Sequence, residues 1–368
     1  MKKLLSRLLD LAIQIQQIPA PTFHEADRAQ FVRTLFEQES LADVATDRTG
    51  NVYACLRGKG HTPPIVVTAH TDTVFPFSTD LTASRTPDKI YGPGIGDNSL
   101  GVAGLFGLLW SLRAQNISLP GDVWLVANTS EEGLGDLIGM RSVIDHFNRT
   151  PLAYIVLEGM SLGKVYHRAL AVRRYRISAA TEGGHSWGSY GSPSAIHELA
   201  AFITRLTTIQ LPEKPRTTLN VGIIQGGTSI NTIAPHACLE LDLRSESPPT
   251  LATLIGQVQT LVEQASRPGQ VQFTAEVIGN RPAGEIAPDH PLVRLALKCI
   301  GAQGLLPQLN IGSTDANIPL SQGLPAVCIG LTTGGGAHTV GEYIDIPPLE
   351  QGLAQLVMLV KRAFHELP

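Results

Sequence analysis

Seven residues of this 368-residue chain have the types and spacing to serve as metal ligands and their supporting acids. His70 and Asp72 stand two apart in Ala69-His-Thr-Asp-Thr-Val74, so on extended backbone their side chains leave the same face. A carboxylate there can fix the imidazole tautomer that turns the other ring nitrogen toward a metal. Taken alone, the pair could equally be a strand-end histidine beside a solvated acid. Asp97 lies in the glycine-rich stretch Gly94-Ile-Gly-Asp-Asn-Ser-Leu-Gly101. A phosphate cradle is the competing reading of that stretch. However, Gly92-Pro-Gly-Ile-Gly-Asp97 places an acid where G-x-G-x-x-G needs its third glycine, and no Walker lysine follows. Glu131 and Glu132 are neighbours, so one can ligate a metal while the other stays free as a general base. Acids that begin a helix are the alternative. Glu158 in Val156-Leu-Glu-Gly159 and His338 in Gly334-Gly-Gly-Ala-His-Thr339 complete the set. Two histidines and three carboxylates, with Asp97 bridging, would complete two three-ligand sites. Nitrogen and oxygen donors without thiolate suit hydrolytic zinc, with cobalt or manganese as other choices.

These residues need elements to position them, and the hydrophobic pattern supplies candidates. Pro64–Ala69, Asp122–Ala127 and Ala153–Leu157 are apolar runs of buried-strand length. Ser99–Leu112 between the first two is a helix pattern with Ser99 as its expected N-cap. Strands alternating with helices predict a mostly parallel α/β sheet, whose ligands gather beyond the strand ends. The same style returns at Ala326–Leu331, a strand, and Leu349–His365, a closing helix. Between them, Arg174–Ala179, Thr217–Gly222, His236–Arg244 and Gln270–Val277 alternate apolar and polar residues, as half-solvated antiparallel strands do. Helical patterns at Ser192–Thr207 and Pro249–Ala265 separate them. The expected organisation is therefore a doubly wound domain in two segments, 1–167 and 281–368, with an α+β insertion at 168–280.

Composition excludes several function classes. Apolar residues make up 43%, charged ones 16%, and 28 Lys+Arg against 32 Asp+Glu give a net charge of −4. With no basic surplus or run, nucleic acid is not an expected partner. Four cysteines (Cys55, Cys238, Cys299, Cys328) without a C-x-x-C pair read as free thiols in a reducing compartment. The N-terminal Leu5, Leu8, Leu9, Ala12 and Ile13 fall at helical spacing, and Arg7 and Asp10 interrupt any signal-peptide core. The apolar stretch Ser99–Leu112 is shorter than the roughly 20 residues of a membrane span. The expected location is cytoplasmic, with no membrane partner.

The ordered motifs H-x-D, G-x-x-D-N, E-E-G, a later Glu and a final His resemble those of the co-catalytic di-zinc metallopeptidase and amidohydrolase family. Its members include aminoacylase, carboxypeptidase G, acetylornithine deacetylase, succinyl-diaminopimelate desuccinylase and peptidase T. The resemblance spans essentially the whole chain. It implies a zinc-exopeptidase-like, mostly parallel sheet sandwiched by helices, with the insertion serving as lid and dimerisation domain. It implies two zinc ions per chain, one on His70, Asp97 and Glu158 and one on Asp97, Glu132 and His338. Asp72 would orient His70, and Glu131 would be the general base. Gly183-Gly-His-Ser-Trp-Gly188 matches the family's lid histidine, so His185 would stabilise the oxyanion, reaching the partner subunit's site in dimeric members. Asn231 in Gly226–Pro235, Arg244, and Ser313 and Thr314 in Gly312-Ser-Thr-Asp-Ala316 match substrate-binding positions. Simpler roles for these are a capped turn at His185, an Asx-turn at Asn231 and a strand-end ion pair at Arg244. Trp110 and Trp187 read as core or interface aromatics.

The expected activity is hydrolysis of a peptide or amide bond by a water shared between two zinc ions, in an exopeptidase. Arg244 suits a substrate carboxylate. Within the family, Glu at the Glu158 position points to carboxypeptidases and N-acyl amino acid deacylases, where the peptidase T branch carries Asp. An N-acyl amino acid deacylase is the alternative activity. A binding relative without catalysis is less expected, because such a relative would lack a ligand or the base.

Overall fold

The computed structural model describes residues 2–368. It divides into two compact units, Met1–Ala169 with Gly284–Pro368, and Leu170–Ala283.

The first unit is built on a nine-stranded sheet. Its centre is four parallel strands in the spatial order Val123–Asn128, Ile65–His70, Ala153–Glu158, Ala326–Gly330. Both Ile65–His70 and Ala326–Gly330 are buried at every position, which is why they read as continuous apolar runs. Antiparallel strands close both sides: Val52–Leu56 and Ala42–Thr46 beyond Val123–Asn128, and Lys164–Ala169 beyond Ala326–Gly330. Helix Leu100–Ala114 is buried around its whole circumference from Leu100 to Leu112, as expected of a helix that is apolar on all sides. Ser99 does not cap it. Ser99 is itself helical (φ −60°, ψ −36°), ends a π-turn over Ile95–Ser99, and makes no capping bond. The N-terminal amphipathic pattern forms helix Lys2–Gln16, which buries Leu8, Leu9, Ala12 and Ile15. No described helix is long and apolar enough to cross a membrane.

Helix Leu349–Glu366 packs against the end of the Ala326–Gly330 strand through Gly352. A Cβ there would lie 1.7 Å from the Leu331 carbonyl oxygen. The Leu331 N–H in turn donates to the Glu158 carbonyl at 2.9 Å. Gly352→Ala is therefore expected to force the helix outward and cost about 1–3 kcal/mol. A urea unfolding midpoint equal to that of the wild type would show that the helix can shift freely.

A small sheet of Ser84–Arg85, Lys89–Tyr91, Tyr343–Asp345 and Gly334–Gly335 stands apart from the main one. Its strands are only two or three residues long and carry no periodic signal. It sets the chain leaving Lys89–Tyr91 toward Asp97 beside the hairpin that holds His338.

The second unit is a four-stranded antiparallel sheet in the order Thr217–Gly226, His236–Ser245, Ala171–Ala180, Gln272–Arg281. Along His236–Ser245 every second residue is buried, Ala237, Leu239, Leu241 and Leu243 among them. Helices Ala195–Thr207 and Pro248–Ala265 bring Leu199, Phe202, Leu254 and Val258 to that cluster. Ser247 caps the second helix by accepting from the Thr250 N–H at 3.4 Å, ahead of Pro248 and Pro249.

Candidate metal centre

His70 and Glu158 are the last residues of two adjacent parallel strands. From Ile65–His70 the chain passes to Val123–Asn128 on one side, then to Ala153–Glu158 on the other. That reversal opens the crevice where open α/β sheets hold their ligands. Glu131 and Glu132 follow the Val123–Asn128 strand, three and four residues past its end.

Asp97 faces both histidines. Its Oδ1 lies 3.2 Å from His70 Nε2 and its Oδ2 lies 3.1 Å from His338 Nε2. Glu158 Oε2 is 3.8 Å from His70 Nε2, and Glu132 Oε1 is 3.0 Å from His338 Nε2. Three sets of potential ligand atoms lie within 4.8 Å of one another: His70–Asp97–Glu158, Asp97–Glu132–His338, and His70–Glu131–Glu132. Two donors about 2.0–2.1 Å from a tetrahedral zinc are about 3.3 Å apart, so the observed separations fit a divalent ion in each of the first two sets. The thiol of Cys328 is in none of these sets, and burial pushes it well above its ordinary pKa.

Several of these candidate ligands are held from behind. His70 Nδ1 is 3.1 Å from the Asp72 carbonyl oxygen and 3.4 Å from its Oδ1, which leaves Nε2 for the centre. The Asp72 carboxylate reaches beyond the ring. It accepts the N–H of Glu131 at 2.9 Å, the N–H of Glu132 at 2.8 Å and the Thr22 hydroxyl at 2.9 Å. Asn98 brackets Glu158, donating to the Leu157 carbonyl at 2.8 Å and accepting the Gly159 N–H at 2.9 Å. Arg28, 2% exposed, donates to the Thr71 carbonyl at 2.7 Å and to Ile18 at 2.6 Å, fixing the turn between His70 and Asp72. Glu25 accepts from the Ser130 N–H at 3.0 Å. Asp315 accepts from Asn128 Nδ2 at 2.7 Å, and burial with the Glu131 charge raises it to about 7.

The histidines and carboxylates perturb one another strongly. Hydrogen bonds to Asp97 and Glu132 raise His338 to about 10. In His70 burial opposes the charge, but bonds to Asp72 and Asp97 prevail and lift it well above its usual value. Burial would raise Asp97, yet bonds from His338 and His70 hold it well below the carboxylate range. Burial raises Glu132 to about 7 and Glu158 well above its usual value. A metal needs neutral imidazole. His338 keeps its proton until the pH rises through about 10, so divalent-ion uptake at about pH 7 is expected to release protons and strengthen as pH rises. Calorimetric titration in buffers of different protonation enthalpy would read this directly. Zero release would mean that the rings are already neutral.

The remaining sequence candidates are spread over both units. Ser313 and Thr314 lie in the turn after strand Gln308–Gly312, in the first unit. His185, Asn231 and Arg244 belong to the second. His185 Nδ1 accepts the Trp187 and Gly188 N–H groups at 3.2 and 3.3 Å, so the ring caps its turn and its proton sits on Nε2. Asn231 Oδ1 accepts the Ser229 hydroxyl at 3.0 Å, and its carbonyl accepts the Ser186 N–H. Arg244 donates through Nε to Asp242 at 2.6 Å. Trp110 is buried in the first unit, whereas Trp187 is 88% exposed.

Clustered histidines and carboxylates beyond the ends of parallel strands make a candidate metal centre where open α/β sheets hold their ligands. Residues 66–362 match Peptidase family M20/M25/M40, and the chain belongs to that family. It is a hydrolase of the exopeptidase or deacylase kind. It is 27% identical to an acetylornithine deacetylase of Klebsiella pneumoniae over 335 residues, 84% of each chain. It is 27% identical to a probable carboxypeptidase of Aspergillus flavus over 316 residues, 76% of this chain and 72% of that one. The crystal structure of a Staphylococcus aureus tripeptidase shares the fold, with a TM-score of 0.81 at 23% identity over 98% of both chains.

Proposed function

We propose that the chain holds two divalent ions, zinc first among them, on His70–Asp97–Glu158 and Asp97–Glu132–His338, and acts as an exopeptidase on short peptides. One observation carries the reading: Asp97 turns one carboxylate oxygen to each histidine. Bound there, the ions supply a polarised carbonyl and an acidified water. Glu131 takes the proton from the attacking water and returns it to the departing amine. Its carboxylate lies within 4.8 Å of a ligand atom from each proposed ion set, His70 in one and Glu132 in the other, which puts it within reach of a water held between them. Asp72 holds the Glu131 backbone and the His70 ring. His185 donates from Nε2 to the developing oxyanion, a role that its engaged Nδ1 supports. Arg244, Asn231, Ser313 and Thr314 bind the substrate, with Arg244 on a carboxylate.

The second reading is N-acyl amino acid deacylation, favoured by the similarity to an acetylornithine deacetylase. The four free cysteines support a cytoplasmic location. The unit Leu170–Ala283 forms a homodimer in this reading, supported by Ile223 and Ile224, exposed on its edge strand.

A panel of dipeptides, tripeptides and N-acetyl amino acids, offered to zinc-loaded protein, tests the assignment. Amino acid release from peptides, identified by which end is trimmed, supports the exopeptidase. Turnover of N-acyl compounds alone would replace it with the deacylase. No turnover by a protein that binds two ions would overturn both.

A further inference from the structure

Glu342 belongs to none of the three ligand sets, yet its side chain is fully buried beside them. Burying a carboxylate is unfavourable unless its oxygens are satisfied. Here the donors are peptide groups of a single loop. Oε1 accepts the N–H of Gly96 at 2.7 Å and of Asp97 at 2.8 Å, and Oε2 accepts that of Gly94 at 3.1 Å. The Glu342 carbonyl takes a fourth N–H, from Gly92, at 2.9 Å. The loop must be glycine-rich for its amides to come so close. Gly94 has φ +74°, and a Cβ on Gly96 would meet the Met160 side chain at 2.7 Å. At the other end, Glu342 lies four residues after His338, in a turn closed by bonds from Thr339 N–H to Gly336 and from Glu342 N–H to Thr339. One carboxylate thus joins the loop of the bridging acid to the loop of a terminal histidine.

The two ion sets do not depend on that join equally. In the first set His70 is fixed by Asp72 without Glu342, and Glu158 ends a strand of the main sheet, so only Asp97 and the Asn98 bonds beside Glu158 share the loop that Glu342 holds. In the other set both Asp97 and His338 sit on loops that Glu342 ties together. We infer that Glu342 is a positioning residue for the ion on Asp97, Glu132 and His338, setting its affinity by holding the Asp97 and His338 loops in register. The inference rests on the two-ion reading proposed above.

Stepwise Co2+ titration of wild type and Glu342→Gln, followed by visible absorption with bound ions counted by dialysis, is the test. Glutamine keeps the shape but turns an NH2 group toward the loop's N–H donors. One binding step is expected to weaken by about 10–100-fold while the other changes far less. The weakened step should carry an altered cobalt spectrum, and excess Co2+ should restore kcat. Two steps unchanged, or both weakened alike, overturn the role of Glu342 while leaving the two-ion centre standing. A wild type that takes up no Co2+ overturns both. If Glu342→Gln does not fold, the wild type decides through hydrogen exchange. Amides of 94–98 and of 336–342 should gain protection at the same Co2+ concentration, and separate midpoints would overturn the coupling.

Discussion

Glu131→Gln is expected to lower kcat by about 10²–10⁴-fold, the usual worth of a positioned general base, while both ions remain bound. The geometry separates the two adjacent glutamates. Glu132 points Oε1 at His338 from 3.0 Å and shares a ligand set with Asp97. Glu131 has its backbone N–H pinned to Asp72 Oδ1 and stands in a set without Asp97 or His338. Glutamine preserves size and the backbone bond to Asp72 but cannot accept a proton at working pH. The fall should therefore appear in kcat rather than in metal content or KM. Glu132→Gln should behave differently, weakening one ion first and losing rate as a consequence. Counting ions in both variants beside their kinetics separates the roles. A Glu131→Gln protein that has lost an ion would make Glu131 a ligand, and one with wild-type kcat would move the base elsewhere.

Much of this arrangement is legible in the sequence, for a physical reason. Parallel strands buried on both faces are mostly apolar, so Ile65–His70, Val123–Asn128 and Ala153–Glu158 lie within one residue of the runs read from pattern alone. An acid or histidine that ends such a run is conspicuous. The alternation in His236–Ser245 betrays a one-faced sheet equally well. Ala42–Thr46 gives no such signal, because it is an edge strand with no fully buried residue. The residues that steady the site were illegible for another reason. Asn98, Arg28, Glu25 and Glu342 act on backbone groups distant in sequence, as when Glu342 reaches Asp97 across 245 positions. No spacing rule encodes such a contact. The short sheet that makes it possible has strands of two or three residues, too brief for any period. Ser99 shows the opposite error. A serine before an apolar helix suggested a cap, but the tight turn that presents Asp97 had already drawn it into helical conformation.

Asp97→Ala is expected to remove both ions together, whereas His338→Ala and Glu158→Ala should each weaken mainly one. Asp97 is the only residue common to the sets that contain His338 and Glu158. Its two oxygens stand 3.2 and 3.1 Å from the two imidazole nitrogens, so its loss leaves each set with one histidine and one glutamate. Two-donor sites hold zinc poorly, and an affinity loss beyond about 100-fold at each follows, larger than the usual cost of losing a supporting contact. The apo protein should feel the change as well. Asp97 supplies the charge opposite both rings, and without it the pull that raises His338 to about 10 loses its first cause. The His338 pKa, followed by NMR in metal-free protein, should fall toward its ordinary value. Proton release on residual metal uptake should shrink in step. If Asp97→Ala instead kept one ion at wild-type affinity, Asp97 would be a terminal ligand of the other alone, and the centre would be two independent sites rather than one bridged pair.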